Sequence, residues 1–429
     1  MLGASARALA ASAARSAPAR RRFPAGLIAL DYFGDADLDR PAEGRPPVDV
    51  LSISRDLAMP RSTAALGRAA LSMEWSAAVC AGGLENRPGL LRLLARRGEL
   101  LGSPARSIAA VRDPATLFAF LQRSGIAHAS ISRGALTPAR GGRWLLKRRR
   151  SAGGGGVRAA PAGERRLPGE HFQRWIDGRA GSAAFVASEG GAVLLGVTEA
   201  LGPDDLPGAP AFRYAGSILG PPGAFLGAAA MRDVGRAATL LTARFGLRGL
   251  NGFDFIAERG VPRIIEVNPR WTASMELYEE RLGLNLFDLH LAACDGRMPA
   301  TGERGDPDGA RLTASALQEK RVPGYLAKGI VYATGPVTAP DPALLEALGA
   351  RDRPRAGERF LPGQPICTLF ASGADRDGCL GALRDRAAAA RRLLLPVPDA
   401  PFDPAFAPGR SAADVVKFGR SIANPGRDR

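Results

Sequence analysis

Two carboxylates and a carboxamide are spaced so that they can hold a hard cation: Asp254, Glu266 and Asn268. Side chains alternate between faces along a strand. Asp254 stands between Phe253 and Phe255, so in an extended segment it turns away from an apolar side, while Glu266 and Asn268 are two apart and share a face. Pairing of residues 252–257 with 263–267 around a tight turn at 258–262 brings the three oxygen donors together. Magnesium, or manganese in its place, takes such sparse sets and completes its shell with water and phosphate oxygens. Arg270 follows at once in Glu266-Val267-Asn268-Pro269-Arg270. A guanidinium beside metal-bound acids is placed to neutralise charge on a transferring phosphoryl group. Each residue also has a plainer reading: an edge hairpin with a solvated face, and one surface arginine among many.

A cation and a glycine run precede this hairpin. Lys147 lies at the end of an expected strand over 143–148 and is followed by Ser151-Ala152-Gly153-Gly154-Gly155-Gly156. Glycines such as Gly153, Gly154 and Gly155 let backbone N–H groups come close to phosphate oxygens. A lysine reaches the same oxygens as a point charge. The order GxxxxGK[ST] of a Walker A loop is absent, and a glycine run alone also reads as a linker. Lys147 carries weight because it is the only lysine before Lys320. Further on, His171-Phe172-Gln173-Arg174-Trp175-Ile176-Asp177-Gly178 reads as extended over 171–176. Its main-chain groups suit the edge of an adenine, with Trp175 and Ile176 as an apolar wall and Gln173 able to bond the base. It reads equally as a core strand.

Positioning these groups requires a scaffold, and the pattern of the chain supplies one. Gly3-Ala4-Ser5 reads as a turn opening a helix over 6–15, and Leu27-Ile28-Ala29-Leu30-Asp31 as a buried strand ending in an acid, the second half of a βαβ unit whose first strand lies near Met1. The acid-free, arginine-rich opening also has the composition of a transit peptide. Strands are expected at 48–53, 77–80 and 99–101, with a helix over 88–96 that has Pro88 in its first turn. This alternation argues for a parallel α/β domain. Helices over 106–111 and 114–124 follow, then strands at 183–187 and 192–197, a helix over 224–245, and helices over 275–282 and 286–294. Residues 302–309 are polar and linker-like. Strands at 326–333 and 365–371 and a helix over 382–395 close the pattern, and the proline-rich tail from 398 is expected to be poorly ordered.

The order lysine strand, glycine loop, hinge strand, long helix, then acid-strand-turn-Glu-x-Asn resembles the ATP-grasp superfamily over roughly residues 1–300. The Gly3–Ala10, Asp31–Asp35, Gly82-Gly83-Leu84-Glu85-Asn86-Arg87-Pro88, Phe212-Arg213-Tyr214-Ala215-Gly216 and Glu266–Leu277 segments are similar to predicted ATP-grasp carboligases related to biotin carboxylase. The resemblance implies an α/β, ATP-grasp fold. A Rossmann-like domain over 1–105 precedes an ATP-grasp domain of two lobes over 106–300, a small α+β domain over 301–397 and a flexible tail over 398–429. It implies ATP between the lobes, magnesium on Asp254, Glu266 and Asn268, Lys147 and the glycine loop on the phosphates, and Gln173, Arg174, Trp175 and Ile176 as the adenine hinge. The implied activity is that of an ADP-forming carboxylate–amine ligase working through an acyl phosphate steadied by Arg270 and Arg213. By analogy the setting is the biosynthesis of a one-carbon cofactor of the tetrahydromethanopterin or methanofuran kind. The chain departs from the family in several places. No lysine stands at the earlier nucleotide position, where Arg112 is nearest. Gln173 replaces the hinge glutamate, and Asp177 is the nearest acid for the ribose. Glu276 falls later than the catalytic glutamate of biotin carboxylases, and there is no biotinyl-lysine segment. These departures leave a non-catalytic or regulatory nucleotide-binding protein as the alternative.

Composition narrows the classes further. The formal net charge is +16, from 58 basic and 42 acidic residues among 429. Only Lys147, Lys320, Lys328 and Lys417 are lysines, and the arginines are scattered and rarely interleaved with aromatics. The charge therefore reads as a basic surface that attracts anionic small molecules, rather than as a nucleic-acid footprint. No run approaches the roughly 20 apolar residues of a membrane span, so no membrane partner is expected and the cytoplasm is the expected location. Cys80, Cys294, Cys367 and Cys379, with His128, His171 and His290, match no zinc spacing. Partners reduce to a small-molecule carboxylate and an amine, with a homodimer as the default assembly.

Overall fold

The computed structural model describes residues 1–38, 48–134, 142–151, 153–161, 163–189, 191–297 and 323–396. The expected linker at 302–309, the boundary at 300/301 and the tail from 398 lie outside the described residues.

The N-terminal part is a parallel α/β unit. Strand β1 (Leu27–Asp31) pairs in parallel with β2 (Val48–Ser52), and β3 (Ala77–Val79) with β4 (Glu99–Leu101). Leu2 bridges in parallel to both Leu30 and Cys80, so the first two residues occupy the place between the two ribbons that the opening pattern implied. Helix α1 (Arg7–Arg15) follows and buries Leu9, Ala10 and Ala13. A short α2 (Ala17–Arg22), capped by the Ser16 hydroxyl accepting from Ala19 N at 2.9 Å, was not foreseen. Helices α3 (Thr63–Ser72) and α4 (Pro88–Arg97) cover the sheet with Leu66, Leu91 and Leu94.

Helices α5 (Ala105–Val111) and α6 (Pro114–Arg123) lead into a four-stranded antiparallel sheet in the order β5-β8-β6-β7, built from β5 (Ile131–Ser132), β6 (Trp144–Arg148), β7 (Val157–Ala160) and β8 (Glu170–Arg174). Strand β7 was not expected. It returns along β6, pairing Val157 with Lys147, which makes the glycine run the turn of a hairpin instead of a linker.

The central sheet has seven antiparallel strands in the order β13-β12-β9-β10-β11-β14-β17. They are β9 (Arg179–Ser188), β10 (Gly191–Leu201), β11 (Gly216–Leu219), β12 (Gly249–Glu258), β13 (Val261–Asn268), β14 (Tyr325–Tyr332) and β17 (Pro365–Gly373). The two strands from beyond residue 323 therefore belong to the same sheet as those before residue 297. A small sheet of β15 (Val337–Thr338), β16 (Arg359–Phe360) and β18 (Leu395–Pro396) lies beside them. Strand β9 is apolar on both faces because both faces are covered. Ala183, Phe185 and Ala187 meet α7 (Ala228–Phe245), whose C-terminus is closed by Gly246 at φ +63°, a left-handed conformation that favours glycine. Ala184 and Val186 meet α8 (Met275–Leu282) and α9 (Leu286–Cys294). Helix α10 (Pro342–Ala347) is short, and α11 (Arg376–Leu393) packs on β14 and β17 through Leu380, Leu383 and Ala387. The four cysteines are free thiols. Among the described residues no helix is long and apolar enough to cross a membrane.

Candidate active site

The β12–β13 hairpin directs its side chains as alternation demands. Phe253 and Phe255 are fully buried in the core under α7, and Asp254 turns to the other face. Asp254 stands opposite Glu266 in the ladder and Gly252 opposite Asn268, and Asn268 Nδ2 donates to Asp254 Oδ2 at 2.9 Å. Asp254 also shares a hydrogen bond with Ser182 on β9. Beyond this pair the register slips: Phe255 opposes Ile264, which leaves Ile265 bulged out. The Ile265 carbonyl accepts from Gln173 Nε2 at 3.1 Å. The donor of Gln173, one of the groups expected to bond a base, is therefore taken up in fastening β8 to β13.

Two cations face Glu266. Lys147 Nζ lies 4.0 Å from Glu266 Oε2. Arg112, the residue that closes α5, pairs through Nη1 with Glu266 Oε1 and donates to the Val267 carbonyl at 3.1 Å. Burial opposes ionisation of Glu266, but Arg112 and Lys147, with a smaller contribution from Arg270, outweigh it and bring the carboxyl down to about 2. Asp254 moves the other way, raised by burial and then by the Glu266 charge. Burial lowers Lys147, against the pull of Glu266 and Asp254.

The glycine turn covers this group. Gly154 has φ +78°, and a Cβ there would fall 1.6 Å from the Phe212 carbonyl oxygen, so only glycine lets the turn lie on residues 212–213. Arg213 runs beneath it: a Cβ on Gly155 would come within 3.0 Å of its Nη1, and one on Gly153 within 4.0 Å. A cavity of about 80 Å³ remains between the turn, Arg112, Lys147, His171 and Glu266. A larger one, about 400 Å³, opens at the start of β1 and β3 among Leu27, Ile28, Trp75 and Phe287, and contains none of the expected site residues. The expected phosphate and metal residues Lys147, Gly153, Gly154 and Glu266 line the small cavity.

The hinge segment divides. Ile176 packs towards the α7 core. The Trp175 ring lies under Arg143, 4.7 Å from its guanidinium carbon, and edge-on to Phe212 at 6.3 Å. Arg174 is exposed and leans on Gly142, away from the cations. The amides of Arg174 and Trp175 already donate to the carbonyls of Ser130 and Arg143, at 2.8 and 2.9 Å.

Two contributors, Glu85 and Asn86, escaped the sequence reading in their observed roles. Glu85 is 4% exposed, and its Oε1 accepts from Arg270 Nε at 2.7 Å while Oε2 accepts from Gly83 N at 2.6 Å. Arg270 further donates to the Trp271 carbonyl at 2.9 Å and to Asn268 Oδ1 at 3.4 Å. Asn86 accepts from Arg112 Nη2 at 3.0 Å and donates to the Ser151 carbonyl at 3.1 Å. The motif Gly82-Gly83-Leu84-Glu85-Asn86 after a strand was the available signal, and the loop it forms holds Arg270, Arg112 and the glycine turn. Glu276 is 3% exposed and is bound by Arg7, Lys328 and Arg351.

Among the described residues no group of three or more histidine, cysteine or carboxylate side chains is arranged to hold a metal. Two carboxylates and an amide with adjoining phosphate-sized space are the donor set magnesium accepts, because phosphates and water complete its shell. The raised Asp254, held against Glu266, fits a cation placed between them.

Residues 123–274 match a family model described as an ATP-grasp domain. The structure is similar to that of a Rhizobium etli pyruvate carboxylase (14% identity, TM-score 0.64, 92% of this chain and 37% of that one). It is also similar to the Campylobacter jejuni biotin carboxylase (15%, TM-score 0.62, 92% and 91%). A third is the biotin carboxylase domain of Hydrogenobacter thermophilus 2-oxoglutarate carboxylase, described as a dimer with MgADP, ADP and bicarbonate (16%, TM-score 0.62, 92% and 89%). The chain thus spans little more than a third of the pyruvate carboxylase and nearly all of the other two. No curated protein sequence matches it. With the glycine turn, the cation pair and the acid hairpin placed as described, the chain contains an ATP-grasp domain and has the ATP-grasp fold seen in biotin carboxylases.

Proposed function

We propose that this chain is an ATP-dependent, ADP-forming carboxylate–amine ligase. The observation that carries the reading is the convergence of Asp254, Glu266 and Asn268 on one face, opposite Lys147 and a glycine turn that closes over a cavity. ATP lies in that cleft with its phosphates towards Lys147 and Arg112. Asp254, Glu266 and Asn268 would hold magnesium, which supplies charge neutralisation on the phosphates. A substrate carboxylate oxygen attacks the γ-phosphorus, the bond to ADP breaks, and the acyl phosphate forms. Arg270, held by Glu85, and Arg213, under the glycine turn, steady its negative oxygens. An amine then attacks the acyl carbon, inorganic phosphate leaves, and the amine loses a proton. On the family resemblance alone, the product belongs to the biosynthesis of a one-carbon carrier.

The test is ADP release over a panel of carboxylates, each with and without amines, with hydroxylamine to trap the acyl phosphate. Release that needs a carboxylate and a hydroxamate that needs ATP are the expected results. Tight Mg–ATP binding with no ADP from any pair would favour the non-catalytic alternative, which the full engagement of Glu276 by cations already leaves open.

The glycine turn gives a further prediction. Gly154→Val must move the turn off Phe212, both for lack of space and for its positive φ. Strain of about 1–3 kcal/mol translates into about 5- to 160-fold weaker Mg–ATP binding by calorimetry. The circular dichroism spectrum should be unchanged, since the turn is peripheral to the cores.

A further inference from the structure

Two residues that line the small cavity each carry a polar atom with no partner. The Nε–H of Arg112 and Nδ1 of His171 are both buried and without a hydrogen-bond acceptor or donor in the protein. Both residues line the same space of about 80 Å³, with Lys147 and the glycines of the turn. Unpaired buried polar atoms are rare because each costs the desolvation of its group. Two on residues that line one cavity point to something that fills it.

The position of His171 is set by register. It stands directly opposite Lys147 across the β8–β6 ladder, so both side chains leave the sheet on the same face. The residue is 8% exposed. Burial, with Lys147 and Arg149 nearby, keeps the ring neutral, down to about 4, so it adds a hydrogen-bonding group without adding repulsion to the cations around it. The neutral ring carries one N–H, and a phosphate oxygen accepts from it with the charge-assisted strength that an uncharged acceptor lacks. Arg112 holds Glu266, Val267 and Asn86 with its two terminal nitrogens, which leaves Nε–H as its remaining directed donor.

We infer that His171 is a nucleotide-binding residue, donating from Nδ1 to a phosphate oxygen that also accepts from Arg112 Nε–H, beside Lys147. The inference rests on the proposed ATP site and assigns it a donor absent from the expected set. It also accounts for the side-chain face of a strand whose other inward residue, Gln173, is engaged with Ile265.

The test is a calorimetric titration of the full chain with Mg–ADP, Mg–AMPPNP and adenosine, for wild type, His171→Phe and His171→Gln. Phenylalanine keeps a ring but donates nothing, while glutamine restores an N–H. His171→Phe should weaken both nucleotides about ten-fold or more, the worth of one hydrogen bond to a charged group. His171→Gln should recover most of that loss, and adenosine should bind all three alike. A ¹⁵N-histidine spectrum gives a readout independent of affinity: the His171 Nδ1 signal, assigned by its loss in His171→Gln, should move on addition of Mg–ADP. Nucleotide affinity of His171→Phe within two-fold of wild type, or an Nδ1 signal unmoved by Mg–ADP, overturns the inference while leaving the ATP site standing. A wild type that binds no nucleotide overturns both.

Discussion

Replacing Glu276 by alanine should lower the stability of the chain by about 3–5 kcal/mol, the usual result of removing one partner from a buried ion pair. The carboxylate is 3% exposed and meets Arg7 at 2.5 and 3.0 Å, Lys328, and Arg351 at 3.4 Å. Arg7 comes from α1, Lys328 from β14 and Arg351 from the loop after α10, so one side chain of α8 ties together three separate parts of the molecule. Without it, Lys328 keeps the Ala273 carbonyl at 3.0 Å and the Phe370 ring at 5.6 Å, neither of them charged, and Arg7 keeps Asp352 and Asp37. Buried cations with too few acceptors, more than the lost contact, make the cost. The measurement is the urea midpoint at constant slope. A change under 1 kcal/mol would sink this account of the hub.

The sign of its pH dependence follows from the shift. Burial opposes the Glu276 charge, but Arg7 and Lys328 outweigh it and hold the carboxyl well below the usual range around 4.5. A group depressed in the folded state contributes stability that is complete above its unfolded pKa and lost as pH falls through the folded one. The difference in stability between wild type and Glu276→Gln should therefore be constant above about pH 5 and shrink steadily on further acidification. The neighbouring Asp35 carries the opposite sign: burial and the charges of Asp352, Asp31 and Asp37 push its carboxyl up. Its ionisation opposes folding at neutral pH, and that opposition is relieved as pH falls through its raised pKa. Comparing two variants that differ only at Glu276 cancels this second contribution.

Local pattern made some of this legible and topology hid the rest. The alternation Phe253-Asp254-Phe255 and the spacing of Glu266 and Asn268 encode which way the hairpin faces, because one face must be apolar. The bulge at Ile265 has no such signature: a continuous Ile264-Ile265 run looks like a regular strand, and only the pairing with β12 shows the slip. Helix α11 was expected from Ala382 but starts at Arg376, since Gly378 and Gly381 mask its first turns. The cap is plain only in three dimensions, where Asp375 accepts from Gly378 N at 2.7 Å. Strand β11 is four residues long and gains its place from β10 on one side and β14, over a hundred residues later, on the other. Pairing at that separation leaves no trace in a local window. The same holds for Glu85. Its carboxylate reads as an exposed loop acid until β3 and β13 bring it against Arg270, where burial and a single guanidinium give it a purpose.

The two acids of the hairpin should separate stability from binding in opposite directions. Asp254→Asn removes a charge that burial and Glu266 both disfavour in the free protein, while the hydrogen bonds to Asn268 and Ser182 can be kept by the amide. Its nucleotide-free stability should match or exceed that of wild type. Glu266→Gln removes the counter-ion of Arg112 and Lys147; because the side chain is 32% exposed, solvent screens much of the loss, and the cost should be about 1 kcal/mol. Binding should respond to both in the same sense. Each variant is expected to lose the magnesium dependence of nucleotide affinity, so that Mg–ATP binds no more tightly than ATP without magnesium. A group costly to the free protein and required by the bound one is what a cation site looks like before its cation arrives. If Asp254→Asn destabilised the free protein more than Glu266→Gln, or if it bound Mg–ATP as wild type does, Asp254 would be a structural acid. The hairpin would then be a scaffold whose charges happen to face a cleft.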